Sequence, residues 1–233
     1  MFRVEPNAPF RGLHQNEEYV VAGERAVHAD AAVILIHGRG ASAESILRLV
    51  EQLTIPGVHY VAPQASNHSW YPWSFLKPIE MNEPGLSSAL QVVADLLIEL
   101  DEKGIPEDRV LLAGFSQGAC LATEFAARHP RRYGGVAALS GGLIGETLPS
   151  AEYRGDLEKT PVFLGCSDVD PHIPLERVQQ STTILQSLGA DVDERIYPGM
   201  GHTVNREEMD VLESMIQRVV DSVNGSTAIG NTE

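Results

Sequence analysis

The chain has 233 residues, 43% of them apolar, which suffices for one domain with a sizeable core. A formal net charge of −15 excludes the clustered basic footprint that a nucleic-acid backbone requires. The longest uninterrupted apolar run, Ala31 to Ile36, is far too short to span a bilayer, and the start Met1-Phe2-Arg3-Val4-Glu5-Pro6 has no signal-peptide core, so a cytoplasmic protein without membrane insertion is expected.

Residues 1–16 are weakly patterned and read as an N-terminal extension to a single domain over 17–223. Glu18 to Glu24 reads as an antiparallel edge strand. Ala32-Val33-Ile34-Leu35-Ile36 is a continuous apolar run of the kind found in strands buried on both faces, and it delivers His37-Gly38-Arg39-Gly40-Ala41-Ser42 to one edge of the sheet. Ser42 can cap a helix whose apolar face is Ile46, Leu49, Val50 and Leu53, and a strand over Val58 to Ala62 follows. The only two tryptophans, Trp70 and Trp73, then fall with Tyr71 and Phe75 in a loop at a strand's carboxyl end. Such a loop faces the ligand crevice of an open α/β sheet, so these aromatics read equally as pocket lining or as a cluster pinning the loop. Leu86, Leu90, Val93, Leu97 and Leu100 recur at helical spacing over Pro84 to Lys103, and Gly104 and Pro106 stop that helix.

The most informative stretch is Gly114-Phe115-Ser116-Gln117-Gly118. It ends the apolar run Val110-Leu111-Leu112-Ala113 and opens the helix-like run Ala119 to Arg128, which is the context of a nucleophile elbow. A serine there occupies a strained turn, with glycines on either side because a Cβ would meet the neighbouring strand or helix. In this architecture an acid and then a histidine should follow the serine. After the strand candidate Pro161 to Gly165 comes Cys166-Ser167-Asp168-Val169-Asp170-Pro171-His172-Ile173-Pro174, which offers two aspartates with nothing in the pattern to choose between them. A helix over Leu175 to Leu188 ends at Gly189, a strand over Asp193 to Tyr197 follows, and Pro198-Gly199-Met200-Gly201-His202 presents one histidine. Asn205 with Glu208 resembles a capping box for a last helix, Arg206 to Val223, and 224–233 reads as a disordered tail. The backbone amides of Arg39 and Gln117 are placed to form an oxyanion hole.

His37-Gly38-Arg39-Gly40, the Ser116 elbow, Asp168 to Pro174 and Tyr197 to His202 together resemble the phospholipase/carboxylesterase family of α/β hydrolases, which includes acyl-protein thioesterases and small bacterial carboxylesterases. The resemblance runs from about residue 30 to 220. It implies an α/β-hydrolase fold with a mostly parallel central sheet, helices on both faces and no large lid domain. It further implies Ser116 as nucleophile, His202 as general base and Asp170, directly before Pro171, as the orienting acid, with Asp168 shaping the loop. Compact size and a missing lid suggest a small-molecule ester substrate, the serine mechanism requires no cofactor, and the resemblance implies a homodimer. The chain departs at Arg39, where acyl-protein thioesterases carry an apolar residue, and this weighs against lipidated-protein substrates.

The same triad serves a thioesterase or lysophospholipase, and a non-catalytic ligand-binding protein of this fold is the reading from another class. His172 is a candidate pocket residue. His14, His28, His59, His68 and His129 show no metal-ligand spacing, so no metal is expected. Arg39 itself reads as a solvated side chain above a functional backbone. Cys120 and Cys166 read as buried thiols and not as a disulfide framework.

Overall fold

The computed structural model describes residues 12–51, 53 and 55–229. Among these residues seven strands form one sheet in the order β1-β3-β2-β4-β5-β6-β7. They are β1 Tyr19–Gly23, β2 Ala31–Ile36, β3 Val58–Pro63, β4 Val110–Phe115, β5 Gly135–Leu139, β6 Pro161–Ser167 and β7 Asp191–Tyr197. Only β1 runs antiparallel, pairing Tyr19 with Pro63 and Gly23 with His59. The other neighbours are parallel, as apolar strands linked by helical crossovers must be.

Alternate residues of the strands feed two separate cores. Ala32, Ile34 and Ile36 of β2 join Leu112, Ala138 and Leu164 in one, with α2 (Gly85–Glu102), α3 (Gln117–Arg128) and α4 (Leu175–Ser187) packed over it. Val33, Leu35, Leu111, Ala137 and Phe163 join the other, covered by α1 (Ala43–Leu47) and α5 (Arg206–Ile229). The period of two along each strand is thus hidden in the sequence, because both faces are buried and both are apolar.

Several expectations change in detail. Ser42 does cap α1, accepting from Ser45 N at 3.3 Å, but the helix ends at Leu47 and not near Leu53. Three-residue turns take over, with Val50 N donating to Leu47 O at 3.0 Å and Leu53 N to Val50 O at 2.9 Å. Apolar residues at 46, 49, 50 and 53 suit such turns as well as a helix, so spacing alone does not separate them. β5 is absent from the strands that the sequence pattern yields; it is five residues long and half its apolar content is alanine, a weak strand former. The last helix runs beyond Val223 to Ile229, so 224–229 continue it where a disordered tail was expected; propagating an existing helix costs far less than starting one. Residues 230–233, and residues 1–11 of the expected N-terminal extension, lie outside the described residues.

His14, also within that expected extension, packs against α2 and the aromatic loop. His14 is 3% exposed, and its backbone N–H donates to Ser88 Oγ at 3.0 Å. Its ring donates from Nε2 to Trp70 O at 2.9 Å and accepts at Nδ1 from Ser66 N at 3.0 Å. Burial holds this imidazole below its ordinary pKa and so favours the neutral tautomer that those two bonds need. No helix among the described residues is long and apolar enough to cross a membrane.

Candidate active site

Ser116 sits between β4 and α3 at φ 56°, ψ −117°, a backbone conformation that L-residues rarely adopt. The neighbouring glycines make it possible. A Cβ on Gly114 would lie 2.5 Å from Gly118 C, and one on Gly118 would lie 2.5 Å from Ile36 C and 2.7 Å from His37 O, all backbone atoms that cannot move aside. The turn is held by Ser116 N donating to Leu139 O at 3.0 Å, which ties the elbow to β5, and by Cys120 N donating to Ser116 O at 3.0 Å.

The His202 loop converges on this serine. Ser116 Oγ lies 2.8 Å from His202 Nε2, and His202 Nδ1 lies 2.7 Å from Asp170 Oδ2. The Asp170 carboxylate is fully buried, and its Oδ1 accepts from His172 N at 2.8 Å and Ile173 N at 3.0 Å. Asp168 instead accepts from Gly199 N at 2.7 Å, so it fastens the histidine loop and does not touch the ring. Ser167 does the same one turn on, accepting from Gly201 N at 3.1 Å. The His202 ring is also flanked by Phe115, with centroids 4.9 Å apart, and by His172 edge-on at 4.8 Å.

The backbone N–H groups of Arg39 and Gln117 have no hydrogen-bond acceptor among the described residues, and both residues line the cavity that contains Ser116. Their side chains share a second task. The Arg39 guanidinium donates to Tyr71 O (2.9 Å), Pro72 O (2.8 Å) and Trp73 O (2.6 Å). Gln117 accepts from Trp70 N and donates to Tyr71 O, both at 2.9 Å. Arg39 stays exposed, as its sequence position suggested, but its fork is spent on the carbonyls of the aromatic loop.

That loop walls a cavity of about 550 Å³. Tyr71, Trp73 and Phe75 line it, as do His172 and, deeper, Cys120 and Ile173. Trp70 does not. It is fully buried behind the wall, with its indole N–H donating to His37 O at 2.9 Å, so this one aromatic pins the loop while its neighbours face the cavity. His37 is also structural: it donates from Nδ1 to Gly38 O at 2.8 Å and accepts at Nε2 from Ala65 N at 3.1 Å, and burial lowers its pKa. Burial pushes both the Cys120 and the Cys166 thiols up to about 12, so neither competes with the serine as a nucleophile; both are unpaired. Among the described residues no cluster of three or more His, Cys, Asp or Glu has the arrangement of a metal site.

Ser167, Phe115 and the Gln117 side chain were not legible beforehand. Phe115 and Gln117 occupy the variable positions of the elbow motif, and Ser167 carries no signal beyond its place at a strand end.

A serine strained at a strand-to-helix turn, bonded to a histidine from a later loop, on a mostly parallel sheet covered on both faces, defines an α/β hydrolase. A sequence model of the phospholipase/carboxylesterase family matches residues 15–220, and the chain belongs to that family. It is similar to the crystal structure of a phospholipase/carboxylesterase from Dyadobacter fermentans, at 42% identity and TM-score 0.83, over 87% of this chain and 97% of that one. Acyl-protein thioesterase 1 of Debaryomyces hansenii is 30% identical over 204 residues, 78% of this chain and 88% of that protein. A probable carboxylesterase, SOBER1-like, of Arabidopsis thaliana is 29% identical over 144 residues, 60% of this chain and 55% of that protein. The chain is thus an ester-cleaving serine hydrolase.

Proposed function

We propose that the protein is a serine carboxylesterase acting on small to medium esters through Ser116, His202 and Asp170. The observation that carries this reading is the unbroken relay from Ser116 Oγ to His202 Nε2 at 2.8 Å and from His202 Nδ1 to Asp170 Oδ2 at 2.7 Å. His202 takes the Ser116 proton as Oγ attacks the ester carbonyl. Asp170 holds the ring with Nδ1 protonated and stabilises the imidazolium that forms. The N–H groups of Arg39 and Gln117 receive the oxyanion, a contribution of about 3 to 4 kcal/mol for each donor. Alcohol leaves, and water activated by His202 cleaves the acyl-enzyme and restores the serine, so the cycle closes without a cofactor.

A cavity of about 550 Å³ walled by aromatics supports an acyl group of modest size. The resemblance to the yeast acyl-protein thioesterase supports a second reading, cleavage of acyl thioesters by the same residues. Two buried, unpaired thiols support a reducing compartment such as the cytoplasm. The test is hydrolysis of p-nitrophenyl esters from acetate to palmitate beside matched acyl thioesters, with Ser116→Ala as control. Turnover of short esters, lost in Ser116→Ala, is expected. Preference for thioesters at every chain length would move the assignment to the second reading, and undiminished turnover by Ser116→Ala would refute the nucleophile.

A further inference from the structure

A second cavity of about 340 Å³ lies against the catalytic groups. It shares Gly38, Ala41, Phe115 and His202 with the larger cavity, so the two spaces meet at the histidine. The difference lies in what each touches besides. Ser116 and Gln117 border only the larger one, whereas Ile46, Leu49, Thr203 and Val204 border only the smaller one.

We infer that the smaller cavity is the leaving-group subsite, and that it takes the uncharged, compact alcohol or thiol half of the substrate. The inference rests on the serine-hydrolase reading above. When Ser116 Oγ bonds to the carbonyl carbon, the oxyanion turns to the N–H of Gln117, and the acyl chain must leave the carbon through space bordered by Ser116 and Gln117. That space is the larger cavity. The bond from carbon to the leaving oxygen or sulfur breaks as that atom takes the proton that His202 Nε2 removed from Ser116. The substituent on it therefore lies where His202 forms a wall and Ser116 does not, which is the smaller cavity.

The lining sets the chemical class. Ile46, Leu49, Phe115 and Val204 are apolar, and no Lys, Arg, Asp or Glu borders the space. The Ser45 hydroxyl at its margin is already donated to Ser42 O at 2.7 Å. A charged headgroup, cationic or phosphate-bearing, would lie against apolar walls there and gain no ionic partner. The volume lies near the lower end of the range of about 300–1,000 Å³ for small-molecule pockets.

The test uses two ester series: butyrate esters of methanol to hexanol, and methyl esters of acetate to octanoate. Leu49→Trp should fill the smaller cavity and lower kcat/KM for the longer alcohols by about tenfold or more relative to methyl butyrate, with the acyl-length profile unchanged. Leu49→Ala should act in the opposite sense and raise the relative rate on branched and benzyl alcohols, so the test survives a folding defect in either variant. For the parent protein, 3,3-dimethylbutyl butyrate should be cleaved faster than its cationic isostere butyrylcholine. A changed acyl profile with an unchanged alcohol profile would overturn the assignment, as would an equal or reversed choline preference. Failure of the serine-hydrolase reading itself looks different: no ester is turned over and a fluorophosphonate probe does not label Ser116.

Discussion

The two aspartates after β6 allow a sharp test, because the substitution of each by asparagine is isosteric and its local bonds can be followed atom by atom. In Asp170→Asn the amide oxygen keeps the N–H groups of His172 and Ile173, at 2.8 and 3.0 Å, so the turn should hold its shape. The new NH2 takes the position of Oδ2, 2.7 Å from His202 Nδ1, and needs an acceptor there. The ring responds by moving its proton to Nε2, and the lone pair that faced Ser116 Oγ at 2.8 Å is gone. A wrong tautomer at this position lowers kcat by about 10⁴, or roughly 5.4 kcal/mol at 1.36 kcal/mol per decade. In Asp168→Asn the amide oxygen still accepts from Gly199 N, so the histidine loop keeps its anchor and the loss should stay below about tenfold, the cost of one weakened hydrogen bond. The assay is kcat for p-nitrophenyl butyrate, with urea midpoints confirming that both variants fold. Asp168→Asn losing more than Asp170→Asn, or Asp170→Asn keeping activity within tenfold of the parent, would refute the tautomer argument.

Further outcomes follow from other residues. Arg39→Ala removes three bonds to the aromatic loop, so KM should rise more than kcat falls, at a stability cost of about 1 kcal/mol because the side chain is exposed. Arg39→Lys should not restore KM, since an ammonium cannot span three carbonyls; full rescue by lysine would show that charge alone matters. Gly118→Ala drives a Cβ into the backbone of Ile36 and His37 and should cost at least about 3 kcal/mol, read as a lowered urea midpoint; an unchanged midpoint would contradict the packing described. Glu208 is fully buried, caps α5 by accepting from Asn205 N at 2.8 Å, leaves Oε1 unpaired, and is raised by burial from 4.5 to about 7. The folded state therefore holds this proton more tightly than the unfolded chain. The resulting stability is complete below about pH 4.5 and is lost as pH rises through about 7. Glu208→Gln should flatten the loss across that window in urea titrations at pH 4.5 to 8; parallel curves for parent and variant would count against a titrating Glu208.

Much of the fold could be read from local pattern. The strands through Ile36, Ala113 and Gly165 declare themselves as apolar runs closed by polar turns, and the Asn205 and Glu208 cap appears as expected, each side chain bonded to the other's backbone at 2.8 and 2.9 Å. β5 did not show, because Gly135-Val136-Ala137-Ala138-Leu139, with one glycine and two alanines, carries little strand preference of its own; its place comes from pairing with β4 and β6. The early end of α1 was equally hidden, since one apolar face serves a three-residue turn and a helix alike.

By itself the sequence determined the chemistry available at the sheet edge: a serine flanked by glycines between a strand and a helix, then acids, then a histidine, in an order that suits one architecture. These are local properties, set by which side chains fit which backbone turns. Only the tertiary structure decided which aspartate reaches His202, that Trp70 is buried behind the wall that Tyr71, Trp73 and Phe75 present, and that Arg39 and Gln117 hold the same loop with their side chains. Each of those outcomes depends on distances between groups 30 or more residues apart, such as the 32 between Asp170 and His202, and no local preference encodes such a distance. It is set by how the parallel strands register and how their closing loops meet above them.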